Sequence, residues 1–303
     1  MLNEDVRRYV ELHRNVGFKY RKQENLLASF VRFAEARGDA HVIGATALAW
    51  ATAAPSVAQR HNRLLVVRRF ALQMQAEDQR HEVPPEQAFG KPTPRRLPHI
   101  YTVDEIARLV GSAATLKPAD SIRPATYSTL LALMASTGLR ICEVIALQLD
   151  DITPAGLIVR HTKFRKTRLV PLHETARRGL ERYLERRARV AGTTSAVFIS
   201  NHGTALCYGT VNRVFLELAR TLGLRAGPGA QGPRIHDLRH TFAVRSLERC
   251  DGDRSAVARH MLALSTYLGH AHVADTYWYL HATPKLMEDI GLAGERLFTQ
   301  GQS

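Results

Sequence analysis

Residues 236–240 read HDLRH, residues 268–270 read LGH, and residues 276–281 read TYWYLH. Farther upstream, residues 137–140 read TGLR, which places an arginine directly after a glycine turn. An arginine, a histidine, a second arginine, a second histidine and a late tyrosine, in this order along the chain, are the groups that covalent attack on a phosphodiester requires. These short segments therefore direct the interpretation of both the fold and the chemistry of the chain.

Each residue type in this set answers one demand of phosphodiester transesterification. The pentavalent transition state gains negative charge, and arginine stabilises it best because its planar guanidinium offers paired donors and keeps its proton. A tyrosine oxygen can attack phosphorus if cationic neighbours or a base help to remove its proton, since its ordinary pKa is about 10. The leaving sugar oxygen needs a proton from a general acid such as lysine or histidine.

The overall charge points to a polyanionic partner. Among 303 residues, 42 are Lys or Arg and 28 are Asp or Glu, which gives a formal net charge of +14. Release of counterions from a phosphate backbone drives association with so basic a protein. A merely solvated basic surface is the alternative reading of the charge alone. The length is sufficient for two domains, each with its own core.

The cysteines and the termini indicate a cytoplasmic protein. Cys142, Cys207 and Cys250 are widely spaced and form no CxxC pair, so neither a disulfide framework nor a zinc knuckle is expected. The acidic start at residues 1–5 shows no signal peptide, and the longest apolar runs are too short for a bilayer. We expect a soluble, nucleoid-associated protein of bacterial type, with no membrane partner.

Residues 1–82 predict a helical domain that binds DNA. Apolar residues recur at helical spacing over residues 2–14 and 20–37, and Pro55-Ser56 opens a further long helix to about Ala76. The other face of that last helix is basic. The candidate DNA-binding residues on it are Arg60, Arg63, Arg68 and Arg69.

Residues 83–98 predict a proline-rich basic linker that contains Arg95 and Arg96, further candidates for DNA contact. Residues 99–303 form the second predicted domain. It begins with a capping box at Thr102 and Glu105 and continues mainly as helices. Two short strands are expected at 157–161 and 168–172, with a third at 196–200. The fold class is mainly α with a small β-hairpin or sheet.

The segments TGLRICEVIALQL (137–149), HDLRH and LGH, with a tyrosine nine residues after His270, resemble the tyrosine recombinase (phage integrase) family. The resemblance is to Xer-like site-specific recombinases and covers roughly residues 100–285. It implies a SAM-like α-helical core-binding bundle followed by an α+β catalytic domain, together forming a C-shaped clamp on DNA. It also implies strand cleavage and rejoining through a 3′-phosphotyrosyl intermediate, in integration, excision or transposition of a mobile element.

The resemblance carries catalytic roles onto particular residues. Arg140 and Arg239 would bind the scissile phosphate, and His270 would hydrogen-bond the same group. His236 would serve in proton transfer or phosphate binding. Tyr279 would be the nucleophile, because it alone fits the nine-residue interval from His270. Tyr277 and Tyr267 compete for that role, although Tyr277 stands beside Trp278 as a packing aromatic would.

Other residues would support the reaction. Lys163 matches the hairpin lysine that protonates the leaving oxygen, and Lys166 is an alternative because a short hairpin tolerates a register shift. Arg165 and Lys166 are candidates for DNA contact in the same turn. Glu143 would orient Arg140, although an ordinary ion pair between the two is an alternative reading. His240 would support the site.

The resemblance implies no cofactor and no metal, and a specific recombination site on double-stranded DNA as partner. An amphipathic helix expected at 285–298 would join protomers into a tetramer on DNA, unless it packs within its own protomer. Two rival functions fit parts of the sequence. One is a zinc hydrolase that uses His236 and His240, whose spacing resembles HExxH. The other is a catalytically silent DNA-binding regulator of the same fold.

Overall fold

The computed structural model describes residues 2–90, 96–160, 167–192, 194–227, 229–250, 254–269 and 276. The chain divides into two compact units, Met1–Arg96 and Leu97–Ser303. Within the described ranges, none of the helices combines the length and the apolar character needed to cross a membrane.

The first unit is a helical bundle, as the apolar spacing predicted. Its helices are α1 (Leu2–Asn15), α2 (Arg21–Glu35), α3 (Gly44–Thr52) and α4 (Val57–Glu77). The side chain of Ser56 caps α4 by accepting a hydrogen bond from the Gln59 amide. Phe30 and Phe70 are fully buried in the core that the helices share. Burial of the apolar faces therefore holds this unit together.

The basic face of α4 is partly committed to the bundle itself. Arg60 donates to the carbonyl oxygen of Ala54, Arg63 to that of Trp50, and Arg68 to that of Pro84. Arg69 is exposed. The predicted linker also begins in contact with this unit, because Val83 and Phe89 pack against its core. The apolar side chains of residues 83–90 thus gain burial that an extended linker would not give them.

The second unit contains most of the described helices. They are α5 (Val103–Ala114), α6 (Arg123–Thr137), α7 (Ile141–Ala146), α8 (Glu174–Arg187), α9 (Tyr208–Thr221), α10 (Asp237–Glu248) and α11 (Arg254–Leu268). The predicted capping box at the start of α5 is confirmed, since Thr102 and Glu105 each accept from the other's backbone amide. Helix α6 supplies fully buried side chains at Leu130 and Met134 and packs against α5, α8 and α10.

A small antiparallel sheet accompanies these helices. Its strands are β1 (Ile152–Thr153), β2 (Gly156–Val159) and β3 (Arg168–Val170), in the order β1-β2-β3. The predicted hairpin strands are confirmed, with Leu157 opposite Val170. The prediction of a third strand at 196–200 is wrong.

Residues 196–199 are buried, but within 196–200 the backbone makes only isolated bridges, at Ala196 and Ile199. The backbone donors of this stretch have other partners: the Val197 amide donates to the Leu147 carbonyl and the Ile199 amide to the Tyr183 hydroxyl. The apolar residues of this run therefore reflect burial and not pairing within a strand, although the two produce the same sequence pattern.

The turn that ends α6 fixes the start of α7. Gly138 has φ 62°, and a Cβ atom at this position would lie 2.5 Å from Cδ1 of Phe242. Only glycine avoids both the left-handed strain and this contact. The turn therefore delivers Arg140 to the first position before α7.

We predict that Gly138→Ala destabilises the protein by about 2 kcal/mol or more, through strain and the contact with Phe242. The matched control is Gly179→Ala in α8, where an added Cβ meets nothing within 4 Å. That change should stabilise by about 0.5–1 kcal/mol. Thermal unfolding of the two variants would show opposite shifts of the midpoint. Equal shifts would contradict the steric account of the turn.

Candidate active site

Arg140 is placed by the carboxylate of Glu143. Arg140 is the N-cap residue of α7, and its backbone amide donates to Oε2 of Glu143 at 2.9 Å. Its guanidinium Nη1 donates to Oε1 of the same carboxylate, also at 2.9 Å. The side chain of Glu143 is only 8% exposed, whereas that of Arg140 is 32% exposed. The ion pair therefore fixes an arginine that solutes can still reach.

A second arginine, Arg168 at the start of β3, holds the same carboxylate. Its Nη1 donates to Oε1 of Glu143 at 3.0 Å and its Nη2 to Oε2 at 2.8 Å. Its Nε donates to the carbonyl oxygen of Tyr267 at 2.8 Å. Sequence reasoning missed this residue, because it follows a strongly basic turn. The strand period was the available signal, since alternation places Arg168 on the same face as buried Val170.

The third arginine, Arg239, lies inside α10 and is 1% exposed. Its Nη1 donates to the carbonyl oxygen of Gly138 at 2.8 Å and its Nη2 to that of Leu268 at 2.6 Å. Oε2 of Glu143 is 4.0 Å from its Nη1. We call Arg140, Glu143, Arg168 and Arg239 the arginine cluster. Three guanidinium charges and one carboxylate charge give this cluster a net charge of about +2.

The C-terminal end of α11 contributes carbonyl oxygens to the arginine cluster. Besides the Tyr267 and Leu268 carbonyls, Gly269 accepts from Nη2 of Arg140, at 3.4 Å. The end of a helix carries partial negative charge, which favours cations there. Gly269 has φ 67°, and a Cβ atom on it would lie 2.8 Å from Nη1 of Arg168. The glycine of the LGH segment thus permits this close approach.

The protonation of Glu143 follows from its neighbours. Burial by itself would raise the pKa of this carboxyl, but the hydrogen bonds and charge of Arg168, together with those of Arg140, lower it below its usual value. Glu143 is therefore ionised at neutral pH, and its charge offsets part of the repulsion among the three arginines.

His236 and His240 adjoin the arginine cluster. His236 is the N-cap residue of α10, and its ring centroid lies 5.0 Å from that of buried His240. Burial, together with the charges of Arg239 and Arg140, lowers the pKa of His236 to about 4. His236 is therefore a neutral imidazole at pH 7, able to donate or accept a hydrogen bond.

The surroundings of these histidines do not favour the zinc hydrolase. The acid between them, Asp237, is fully buried and is held by the backbone amide and guanidinium of Arg234. It cannot act as the base of an HExxH-like site. Within the described residues, the group of three potential metal ligands lies in the first unit, at His41, Asp78 and His81.

The structure thus brings together five predicted site residues: Arg140, Glu143, His236, Arg239 and His240. The other predicted residues of this unit lie outside the described residues; they are Lys163, Arg165, Lys166, His270, Tyr277 and Tyr279. Arg95 lies outside them as well, and Arg96 is exposed. Gly269 is described and immediately precedes His270 in the sequence.

Tyr267, a competing nucleophile in the sequence reading, is a packing residue. Its ring stacks on that of Phe242, with centroids 5.6 Å apart. Burial raises the pKa of Tyr267 to about 12, which disfavours the phenolate. Its contribution to the arginine cluster is its backbone carbonyl.

Comparison with known proteins identifies the family of the chain. Residues 100–285 match the phage integrase family. The integrase/recombinase y4rB of Sinorhizobium fredii is 40% identical in an alignment of 295 positions that covers 94% of each chain. The tyrosine recombinase XerD of Mycobacterium tuberculosis is 34% identical in an alignment of 248 positions, which covers 79% of this chain and 74% of the relative.

Among solved structures, the XerH site-specific recombinase in its post-cleavage complex with palindromic difH substrate superposes with a TM-score of 0.68. It is 17% identical and covers 97% of this chain and 85% of its own, so this likeness bears on the fold alone. The family match and the two relatives carry the assignment. The chain belongs to the phage integrase family and is a tyrosine recombinase that breaks and rejoins DNA.

Proposed function

We propose that this recombinase cleaves a specific site on double-stranded DNA through a 3′-phosphotyrosyl link to Tyr279, and that Arg140 and Arg239 of the arginine cluster act on the scissile phosphate. The observation that carries the proposal is the net positive charge collected around Glu143 at the end of α11. An anionic phosphate matches this charge, and guanidinium groups bind phosphate oxygens in pairs.

Arg140 and Arg239 act on the phosphate in different ways. Arg140 is about one-third exposed, so a phosphate can reach its N–H groups, and its bonds to the Leu268 and Gly269 carbonyls are long at 3.4 Å. Arg239 is buried and anchored on two carbonyls. Its charge is therefore preorganised, which favours the transition state without a cost of reorganisation during the reaction.

The bond changes balance without a cofactor. The Tyr279 oxygen forms a bond to phosphorus as the bond to the 5′-oxygen breaks, and the leaving oxygen receives a proton from Lys163 or, alternatively, Lys166. Neutral His236 can accept the tyrosine proton or hydrogen-bond the phosphate. Rejoining reverses these steps with a 5′-hydroxyl of a partner strand. His270 adds a hydrogen bond to the phosphate, and His240 supports His236 through their ring contact.

DNA binding is assigned to both parts of the chain. We assign residues 1–82 to a DNA-binding domain, 83–98 to a linker and 99–303 to the catalytic domain. The basic residues proposed to contact the DNA backbone are Arg60, Arg63, Arg68, Arg69, Arg95, Arg96, Arg165 and Lys166. Residues 285–298 would contact a neighbouring protomer within a tetramer on DNA.

We predict that Tyr279→Phe abolishes covalent capture of DNA, because the attacking oxygen is lost. The measurement is an SDS-resistant protein–DNA adduct on a duplex nicked near its cleavage point. Tyr277→Phe is the matched control and should keep the adduct. An adduct formed by Tyr279→Phe would refute the assignment of the nucleophile. An absence of adduct from the wild-type protein would instead favour a silent DNA-binding regulator.

We predict that Arg140→Ala slows adduct formation about 100-fold or more, because a donor to the transition state is lost. DNA affinity should change only a few-fold, since one charge among many is removed. Arg178→Ala is the control, because Arg178 is an exposed arginine of α8 paired with Glu174. Gel-shift titration and single-turnover cleavage separate the two effects. A parallel loss of binding and cleavage would contradict a role specific to the transition state.

We predict that His236 makes the protein less stable in acid. Its pKa is about 4 in the folded state and 6.5 in the unfolded reference, so the unfolded chain binds more protons between these values. Stability should therefore fall as the pH drops, by about 2 kcal/mol between pH 7 and pH 5 from this group. Thermal unfolding of His236→Gln should show a smaller loss of stability between pH 7 and pH 5 than the wild-type protein shows. The exposed His202 provides the control, and His202→Gln should behave as wild type.

A further inference from the structure

Arg168 lies in the arginine cluster, and each nitrogen of its guanidinium donates a hydrogen bond to a protein oxygen. Nη1 and Nη2 donate to the two oxygens of Glu143, and Nε donates to the Tyr267 carbonyl. Its side chain is 12% exposed, against 32% for Arg140. The hydrogen bonds of Arg168 are thus directed at Glu143 and at the end of α11, which points to a role in holding that carboxylate.

The two arginines bind the same two oxygens. Oε1 of Glu143 accepts from Nη1 of Arg140 at 2.9 Å and from Nη1 of Arg168 at 3.0 Å. Oε2 accepts from the Arg140 amide at 2.9 Å and from Nη2 of Arg168 at 2.8 Å. The paired bonds from Arg168 fix the plane of the carboxylate, and that plane determines where Arg140 is held.

We propose that Arg168 is a positioning residue for DNA cleavage, which acts through Glu143 to hold the guanidinium of Arg140 in its phosphate-binding place. The inference rests on the proposed role of Arg140. The hydrogen bond from Nε to the Tyr267 carbonyl anchors the guanidinium on α11. Arg168 of β3 therefore contacts both α7, through Glu143, and α11.

Lysine cannot replace Arg168 fully. An ammonium group keeps the charge, but it lacks the planar fork that engages both carboxylate oxygens and the carbonyl together. Arg168→Lys should therefore lose part of the contribution of Arg168 to the cleavage rate, and Arg168→Gln should lose all of it. A purely electrostatic role would make the lysine variant equal to wild type.

The protonation of Glu143 supplies a readout that a merely structural role would not move. Arg168 is a main cause of the lowered pKa of this carboxyl, and burial opposes it. Without Arg168 burial prevails, the pKa rises, and Glu143 becomes protonated as the pH falls. Protonated Glu143 has no charge with which to hold Arg140. The ratio of variant to wild-type rate should therefore decline toward acidic pH.

The experiment measures adduct formation on the nicked duplex, in single turnover, from pH 8 to pH 6. For Arg168→Gln we expect a rate about 10-fold below wild type at pH 8 and a further loss of about 5-fold at pH 6. DNA affinity should stay within about 3-fold. The matched control is Arg160→Gln: Arg160 follows Val159, the register partner of Arg168, but pairs with Asp151. Its rate ratio should not change with pH.

A double-mutant cycle decides whether Glu143 transmits the effect. In a Glu143→Gln background, Arg168→Gln should lower the rate of adduct formation less than 2-fold, since the carboxylate through which Arg168 acts is gone. This double variant removes one positive and one negative charge together and so keeps the net charge of the cluster at about +2, which keeps the test available if Arg168→Gln alone folds poorly. A full 10-fold loss in that background, or a rate ratio independent of pH, would overturn the inference. If wild type forms no adduct, the proposed function fails, and the inference fails with it.

Discussion

The carboxylate of Glu143 is the constraint on which the candidate active site depends. A buried carboxylate is costly unless it is paired and hydrogen-bonded, and here two arginines satisfy both of its oxygens. Those arginines come from the start of α7 and the start of β3, which are far apart in sequence. The need to compensate one buried charge therefore brings the hairpin and the first arginine segment together.

The end of α11 completes this arrangement from the other side. Its last carbonyls would be left without intrahelical partners, and the three arginines supply donors for them. The same contacts fix Gly269, the residue immediately before His270. The last carbonyls of α11 and the guanidinium groups of the arginine cluster thus satisfy each other's hydrogen bonds.

Repulsion among the guanidinium groups keeps the site ready for an anion. Glu143 neutralises one of the three charges, and the carbonyls of Gly138, Tyr267 and Leu268 disperse the rest. Burial, together with this positive field, lowers the pKa of His236 and keeps it neutral. The site therefore combines fixed cations with a neutral imidazole.

Much of the fold could be predicted from the sequence, because helix periodicity, the Thr102 capping box and the hairpin pattern are local signals. The third strand at 196–200 was predicted wrongly because a buried apolar run looks the same whether its amides pair with a strand or with a side chain such as Tyr183. Arg168 was missed for a related reason. Its partners are 25 and 99 residues away in sequence, and one of them is a backbone carbonyl.

The sequence by itself determined the family, the order of the arginine and histidine segments, and the residue types available for phosphodiester chemistry. These follow from residue identity and short spacing. Only the tertiary structure decided which arginine is exposed, which are buried, and which carboxylate holds them. Burial and long-range hydrogen bonds set those properties, and they arise only when α7, β3, α10 and α11 meet.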